Sequence, residues 1–348
     1  MSAPRAPGYD ALEGRFEEIL ACEPVGPDEG AIIGRSREGR PVRAFRGGSG
    51  SHRVSLVAGC HADEPVGPRL LRRLAAHLAE LPAEDPLLTA AEWWILPHLN
   101  PDGEAANAAW QRPSGPTGPG ALGDGPEAYD PVLYRLHVVR ELPGDDVEFG
   151  FPVRDDDQGA RPENRAARGW WREAGSFSLH ASLHGMSVAG GPWYLVEPGW
   201  RGRPELGRLM ERCRASAAHA GYALHDVERA GEKGFHRLAP GFATRPNHAS
   251  MREHFLAAGD PATAARFRPS SMETIRALGG DPLTLVSEVP LFLGAARDAD
   301  PTDLRSVPVA DQMRLQWAFV CAGLEAVTVR MVPEGPFRAV GRHSAGGP

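Results

Sequence analysis

The stretch SLVAGCHADEPVGPRLL, Ser55 to Leu71, changes character halfway along. Its first half completes an apolar run, RVSLVAGC (53–60), whose length and β-branched content predict a buried strand. Its second half opens PVGPRLLRRLAAHLAELP (65–82), where Leu70, Leu71, Leu74, Leu78 and Leu81 recur near one helical face. A second strand is predicted over AEWWILPHL (91–99), so a strand–helix–strand unit spans roughly 53–99, as α/β architecture requires. Between the first strand and the helix stand His61 and Glu64. Three apart in a turn they are unremarkable, unless the rest of the chain supplies a third ligand and a base.

Working outward, residues 10–21 are predicted as a helix and GAIIGRSREGRPVRAFRGG as a hairpin turning at Arg37-Glu38-Gly39. The Pro/Gly-rich residues 113–130 and the segment EFGFPVRDDDQGARPE (148–163) read as loop, within an insertion covering about 104–160. A helix opened by Pro162 follows, then strands over 176–185 and 282–292, a helix over 203–221 between them, and at least one C-terminal helix. No internal repeat and no clean linker interrupts the chain, so one domain over 1–348 is expected.

Composition narrows the function. The 348 residues are 42% hydrophobic and 24% charged, with a net charge of −7, which is ordinary for a globular protein. No basic patch stands out, so nucleic acid is not an expected partner. No run approaches the ~18–20 apolar residues that span a bilayer, and the N-terminal residues have no signal-peptide pattern. A cytoplasmic location without membrane contact is the expectation, and the oligomeric state stays open. The four cysteines are far apart and form no CxxC, which argues against a thiolate zinc site or a disulfide framework.

A catalytic zinc takes three nitrogen or oxygen ligands and leaves a fourth position for water. His61 follows one predicted strand, Glu64 precedes a helix, and His184 ends a later strand in SLHGMS. Glu288 stands alone as a carboxylate in the apolar run TLVSEVPLF, a costly place without a partner. His180 and His98 are rival histidines. The segments GRSREGRPV, LVAGCHADEPVG, ILPHLNPDG, ASLHGMS and SEVPLF, in that order over about residues 30 to 295, resemble the zinc carboxypeptidase-like (M14-type, funnelin) metallopeptidases, and the chain looks like a divergent member of bacterial type. The resemblance implies an α/β/α sandwich around a twisted mixed β-sheet, the carboxypeptidase-like (phosphorylase/hydrolase-like) fold. It implies one Zn2+ per chain on His61, Glu64 and His184, Glu288 as general base, and Arg112 facing the oxyanion.

The family's Asn-Arg clamp for the substrate carboxylate has two counterparts here. Asn164-Arg165 matches in letters, whereas DDVEFGFP (145–152), aligned on Phe-Pro, puts Glu148-Phe149 at the clamp. The second alignment is favoured, and both Glu148 and Arg165 are candidate substrate-binding residues. A Glu in the clamp repels a carboxylate, so a metallopeptidase or amidohydrolase that does not recognise a free C-terminus in the standard way is expected. Its partner is a peptide or amide small molecule. The alternatives are a deacylase of small N-acyl amino acids with the same fold and a metal-free binding module.

Overall fold

The computed structural model describes residues 8–112 and 126–328. Its strands are β1 (Ala31–Arg35), β2 (Pro41–Gly47), β3 (His52–Ala58), β4 (Ala91–Leu96), β5 (Leu179–Ala189), β6 (Trp193–Val196), β7 (Arg237–Ala239), β8 (Phe242–Thr244), β9 (Leu283–Leu293) and β10 (Arg305–Ser306). They form one mixed sheet in the order β1-β2-β4-β3-β5-β9-β6-β8-β7, with β10 against β9. The centre, β4-β3-β5-β9, is parallel, while β1-β2, β2-β4 and β9-β6 are antiparallel. A mixed α/β fold with a mixed sheet is therefore what the chain adopts.

Side chains alternate across this sheet, as strand geometry dictates. Val54, Leu56, Trp93, Ile95, Leu179 and Leu285 pack on one face against helices Val66–Glu80, Pro204–His219 and Val309–Thr328. Val57, Trp94 and Leu96 pack on the other, against Trp170 and Trp171 of helix Pro162–Ala174 and Ile275 of helix Ser271–Ala277. The tryptophan pairs are thus core, one ring of Trp93-Trp94 on each face. The chain leaves β3 through helix Val66–Glu80 to β4 on one side, and later places β5 on the other side of β3. The sheet order reverses at β3, and ligand sites gather outside the carboxyl ends of strands at such a point.

Several local expectations change. The helix of residues 10–21 is two short helices, Tyr9–Glu13 and Phe16–Ala21, parted at Gly14. Asn100-Pro-Asp-Gly103, just past the second predicted strand, starts a helix: the Asn100 side chain accepts from the Gly103 backbone and caps helix Pro101–Ala106. The insertion about 104–160 carries helices Ala108–Gln111 and Pro131–His137, and the part of it at 113–125 lies outside the described residues. Among the described residues no helix is long and apolar enough to cross a membrane, and no cysteine is in a disulfide.

Candidate metal and active site

β3 ends at Ala58, and the chain turns at once. Gly59 has φ of +63°, a backbone region that side chains disfavour, and a Cβ there would lie 2.5 Å from His98 Nδ1. The turn carries His61 and Glu64 back over the sheet end. It is held from below: Leu99 and Asn100 donate their backbone N–H groups to Ala58 and Gly59, and buried Asn107 donates to the carbonyl of Ala62 at 2.9 Å. The NPDG segment thus braces the turn that bears the candidate ligands. Asp102 within it accepts from Ser36, the Glu38 backbone and Arg40, tying in the β1–β2 hairpin.

The third histidine arrives by sheet pairing. His184 stands on β5, directly in register with Glu288 on parallel β9. His61 Nδ1 lies 2.7 Å from Glu64 Oε1, His184 Nδ1 lies 2.9 Å from Glu64 Oε2, and the two Nδ1 atoms are 3.2 Å apart. The three residues sequence reading singled out as ligands therefore meet at one point. His61 Nδ1 and Glu64 Oε1 are hydrogen-bonded, and the Nδ1 atoms of both histidines and both Glu64 oxygens face one another across a few ångströms. Ligands in a tetrahedral zinc shell with bonds of about 2.0–2.1 Å are roughly 3.3 Å apart. Edges of 2.7, 2.9 and 3.2 Å need only a slight opening, and two imidazoles with one carboxylate are a donor set zinc accepts.

The electrostatics are those of two imidazoles packed around one carboxylate. Burial acts to raise the Glu64 carboxyl, but His61 and His184 outweigh it and hold it well below the usual range. Loss of water acts to lower His61, and the Glu64 carboxylate overrides that, bringing it up to about 10. Glu288 is pushed up to about 8, first by burial and then by the Glu64 carboxylate. Cys60, which lies near Glu148 and His184, is pushed up to about 12 by burial and stays a thiol.

His61, Glu64, His184 and Glu288 line one cavity of about 450 Å³, together with Glu148 and an apolar wall that includes Phe235, Phe267 and Met272. The rival histidines are elsewhere. His180 is fully buried between the hydroxyls of Ser55 and Ser271, and His98 accepts the Asn100 N–H through Nδ1. Two expectations are corrected. Arg112 is not among the residues lining this cavity; it lies on a second one, of about 260 Å³, with Arg72, His98 and Glu104. Arg112 is the residue that caps the C-terminus of helix Ala108–Gln111. Arg165 is also off the cavity, because its guanidinium donates to the carbonyls of Gln158 and Ala160 and closes the preceding loop. Its neighbour Asn164 is buried and donates to the Val147 carbonyl at 2.7 Å, so it anchors the loop bearing Glu148. Glu148 does reach the cavity, but only 4% of it is exposed, and its Oε2 lies against His184 Nε2 at 3.2 Å.

Sequence reading missed Arg140. It lines the cavity, donates to Tyr134 Oη at 2.9 Å and pairs with Asp63 of the ligand turn. Its segment has no strong periodicity, and the contact depends on how the insertion folds back. The apolar wall was equally hidden, since its members come from segments far apart in the chain.

Comparison with known proteins bears on the first third of the chain. The zinc carboxypeptidase family matches residues 29–128. Carboxypeptidase SOL1 of Arabidopsis thaliana is 30% identical over 142 residues, which is 39% of this chain and 24% of that protein, so the chain spans about a quarter of this curated relative. Among solved structures, carboxypeptidase A from Helicoverpa armigera aligns over 94% of this chain and 75% of its own, at 13% identity and a TM-score of 0.49. A metallo-carboxypeptidase from Burkholderia cenocepacia aligns over 92% and 68%, at 15% and 0.45. The likeness to the zinc carboxypeptidase family thus rests on residues 29–128.

Proposed function

We propose that this chain is a zinc-dependent hydrolase of a peptide or amide bond, with His61, Glu64 and His184 as metal ligands and Glu288 as general base. The observation that carries the reading is the triangle of His61 Nδ1, His184 Nδ1 and the Glu64 carboxylate, open toward the same cavity that Glu288 lines. When bound, zinc lowers the pKa of its water from 15.7 to about 7 and polarises the scissile carbonyl. Glu288, on the strand beside His184, is positioned to take a proton from water and return it to the leaving amine. The apolar wall orients the substrate and excludes bulk water from these groups. Neither Arg112 nor Arg165 lines the cavity; the two guanidinium residues that do are Arg140, committed to Asp63 and Tyr134, and Arg297. The buried Glu148 carboxylate on the cavity, with Arg112 and Arg165 outside it, supports a substrate whose free C-terminal carboxylate is not held in the family's standard way.

Metal analysis and hydrolysis assays test this together. About one zinc per chain is expected in wild type, lost in His61→Ala and kept in Glu288→Gln. Turnover of a responsive amide should fall by roughly 10²–10⁴ in Glu288→Gln. A blocked dipeptide ending in free Phe should stay intact. Its cleavage by wild type but not by Glu288→Gln refutes the unusual specificity alone; a wild-type chain that takes up no zinc refutes the whole reading.

A further inference from the structure

We infer that Glu148 is a positioning residue for His184, fixing which ring nitrogen faces the metal site, rather than a residue that binds substrate. The inference rests on the zinc reading above. A neutral imidazole carries one N–H, and the other nitrogen offers its lone pair. His184 Nδ1 faces His61 and Glu64, so ligation there requires the proton on Nε2. Ser182 Oγ lies 2.8 Å and Glu148 Oε2 3.2 Å from Nε2, with the neutral Cys60 thiol also close to the ring. A hydroxyl donates or accepts, so Ser182 alone permits either tautomer. A carboxylate only accepts, so Glu148 selects the Nε2–H form.

Charge leads to the same assignment. Glu148 is buried, its Oε1 has no hydrogen-bond partner, and among the described residues no Arg or Lys pairs with it. A buried carboxylate without a counter-charge costs several kcal/mol. The group it meets is the His184 ring, whose opposite edge meets Glu64 and His61. Glu148 is paired with that ring alone; a cation on the opposite edge preserves the pairing, and the carboxylate in turn makes the ring a stronger ligand. The loop is built to hold Glu148 there: Asn164 donates to the Val147 carbonyl, the Phe149 N–H donates to Asp146 Oδ1 at 2.8 Å, and the Arg268 N–H donates to the Phe149 carbonyl at 2.9 Å. Backbone bonds thus clamp the residues on both sides of Glu148.

The test is zinc affinity by chelator competition on wild type, Glu148→Gln, Glu148→Ala and Ser182→Ala, with melting of each metal-free chain and the visible spectrum of each cobalt-loaded chain. Carboxylates behind a ligating histidine are worth roughly 10–100-fold in metal affinity. Glu148→Gln keeps the shape and one accepting oxygen, so about 10-fold weaker binding is expected; Glu148→Ala should approach 100-fold, both with a shifted cobalt spectrum. Ser182→Ala should stay within about 3-fold. The inference is overturned if both Glu148 variants bind zinc like wild type, if they lose apo stability with zinc affinity unchanged, or if Ser182→Ala carries the loss. A wild type that binds no zinc removes the underlying reading instead, so the two failures are told apart by the wild-type titration.

Discussion

Gly59 occupies a position that no other residue fills without displacing something. Its φ is positive, and the first atom of any side chain would enter the His98 ring. The ring has little room to yield, since His98 is buried and its Nδ1 accepts the Asn100 N–H. A small substitution two residues before His61 therefore moves either the ligand turn or the His98 anchor. Gly59→Ala should cost roughly 1–3 kcal/mol through strain at a left-handed position and weaken zinc binding as well. Thermal unfolding and chelator competition measure the two effects; an alanine variant with unchanged melting and zinc affinity contradicts this account of the turn.

At the scale of elements, one side chain joins three of them. Asn107 lies between helices Pro101–Ala106 and Ala108–Gln111, fully buried. Its amide donates to the carbonyls of Ala62, Gly103 and Val139, while its oxygen accepts from Trp110 Nε1 and the Val139 N–H. The ligand turn, the NPDG helix and the segment reaching Arg140 thus share a single amide. Removing it strands several buried polar groups at ~1–3 kcal/mol each, so Asn107→Ala should lose at least about 2 kcal/mol in denaturant unfolding. A loss below half that would show that water substitutes freely. None of this network was legible in the sequence, where Asn107 is one polar residue in a run of alanines. What was legible had either strong periodicity or a strand-end position: β3, helix Val66–Glu80, β5, β9, and with them His61, Glu64, His184 and Glu288. Arg112 and Arg165 were misplaced for a common reason. Each was assigned from neighbouring letters, whereas the direction of a side chain after a short helix or on a helix surface is set by tertiary packing. The short strands β6, β7 and β8 escaped notice because three or four residues carry too little alternation to read.

For the molecule as a whole, the buried histidines that are not candidate ligands set how acid acts. His180, among Ser55, Ser271 and the Trp171 ring, is pushed down to about 3, chiefly by burial and further by the Arg245 charge. His98 is pushed down to about 4, again by burial first, with Glu104 opposing and Arg72 assisting. Both are neutral in the folded chain at pH 5 and protonated in the unfolded chain, where an imidazole titrates near 6.5. The unfolded state therefore binds two more protons from these sites, and stability falls as pH falls through the window from about 6.5 to about 4. Each contributes a slope of up to ~1.4 kcal/mol per pH unit there. The candidate ligands His61 and His184 do not blur this in the metal-free chain, because their raised values keep them protonated in both states below pH 6. Glu288, raised to about 8 in the folded chain, holds an extra proton there down to about pH 4.5 and offsets one of the two histidines, so denaturant unfolding of the chelated protein at pH 4.5, 5.5 and 6.5 should show a net loss toward acid of up to ~1.4 kcal/mol per unit. His180→Asn should flatten that slope by up to ~1.4 kcal/mol per unit, whatever stability the substitution itself costs. An unchanged slope means that His180 takes its proton while still folded, which its two hydroxyl partners and full burial speak against.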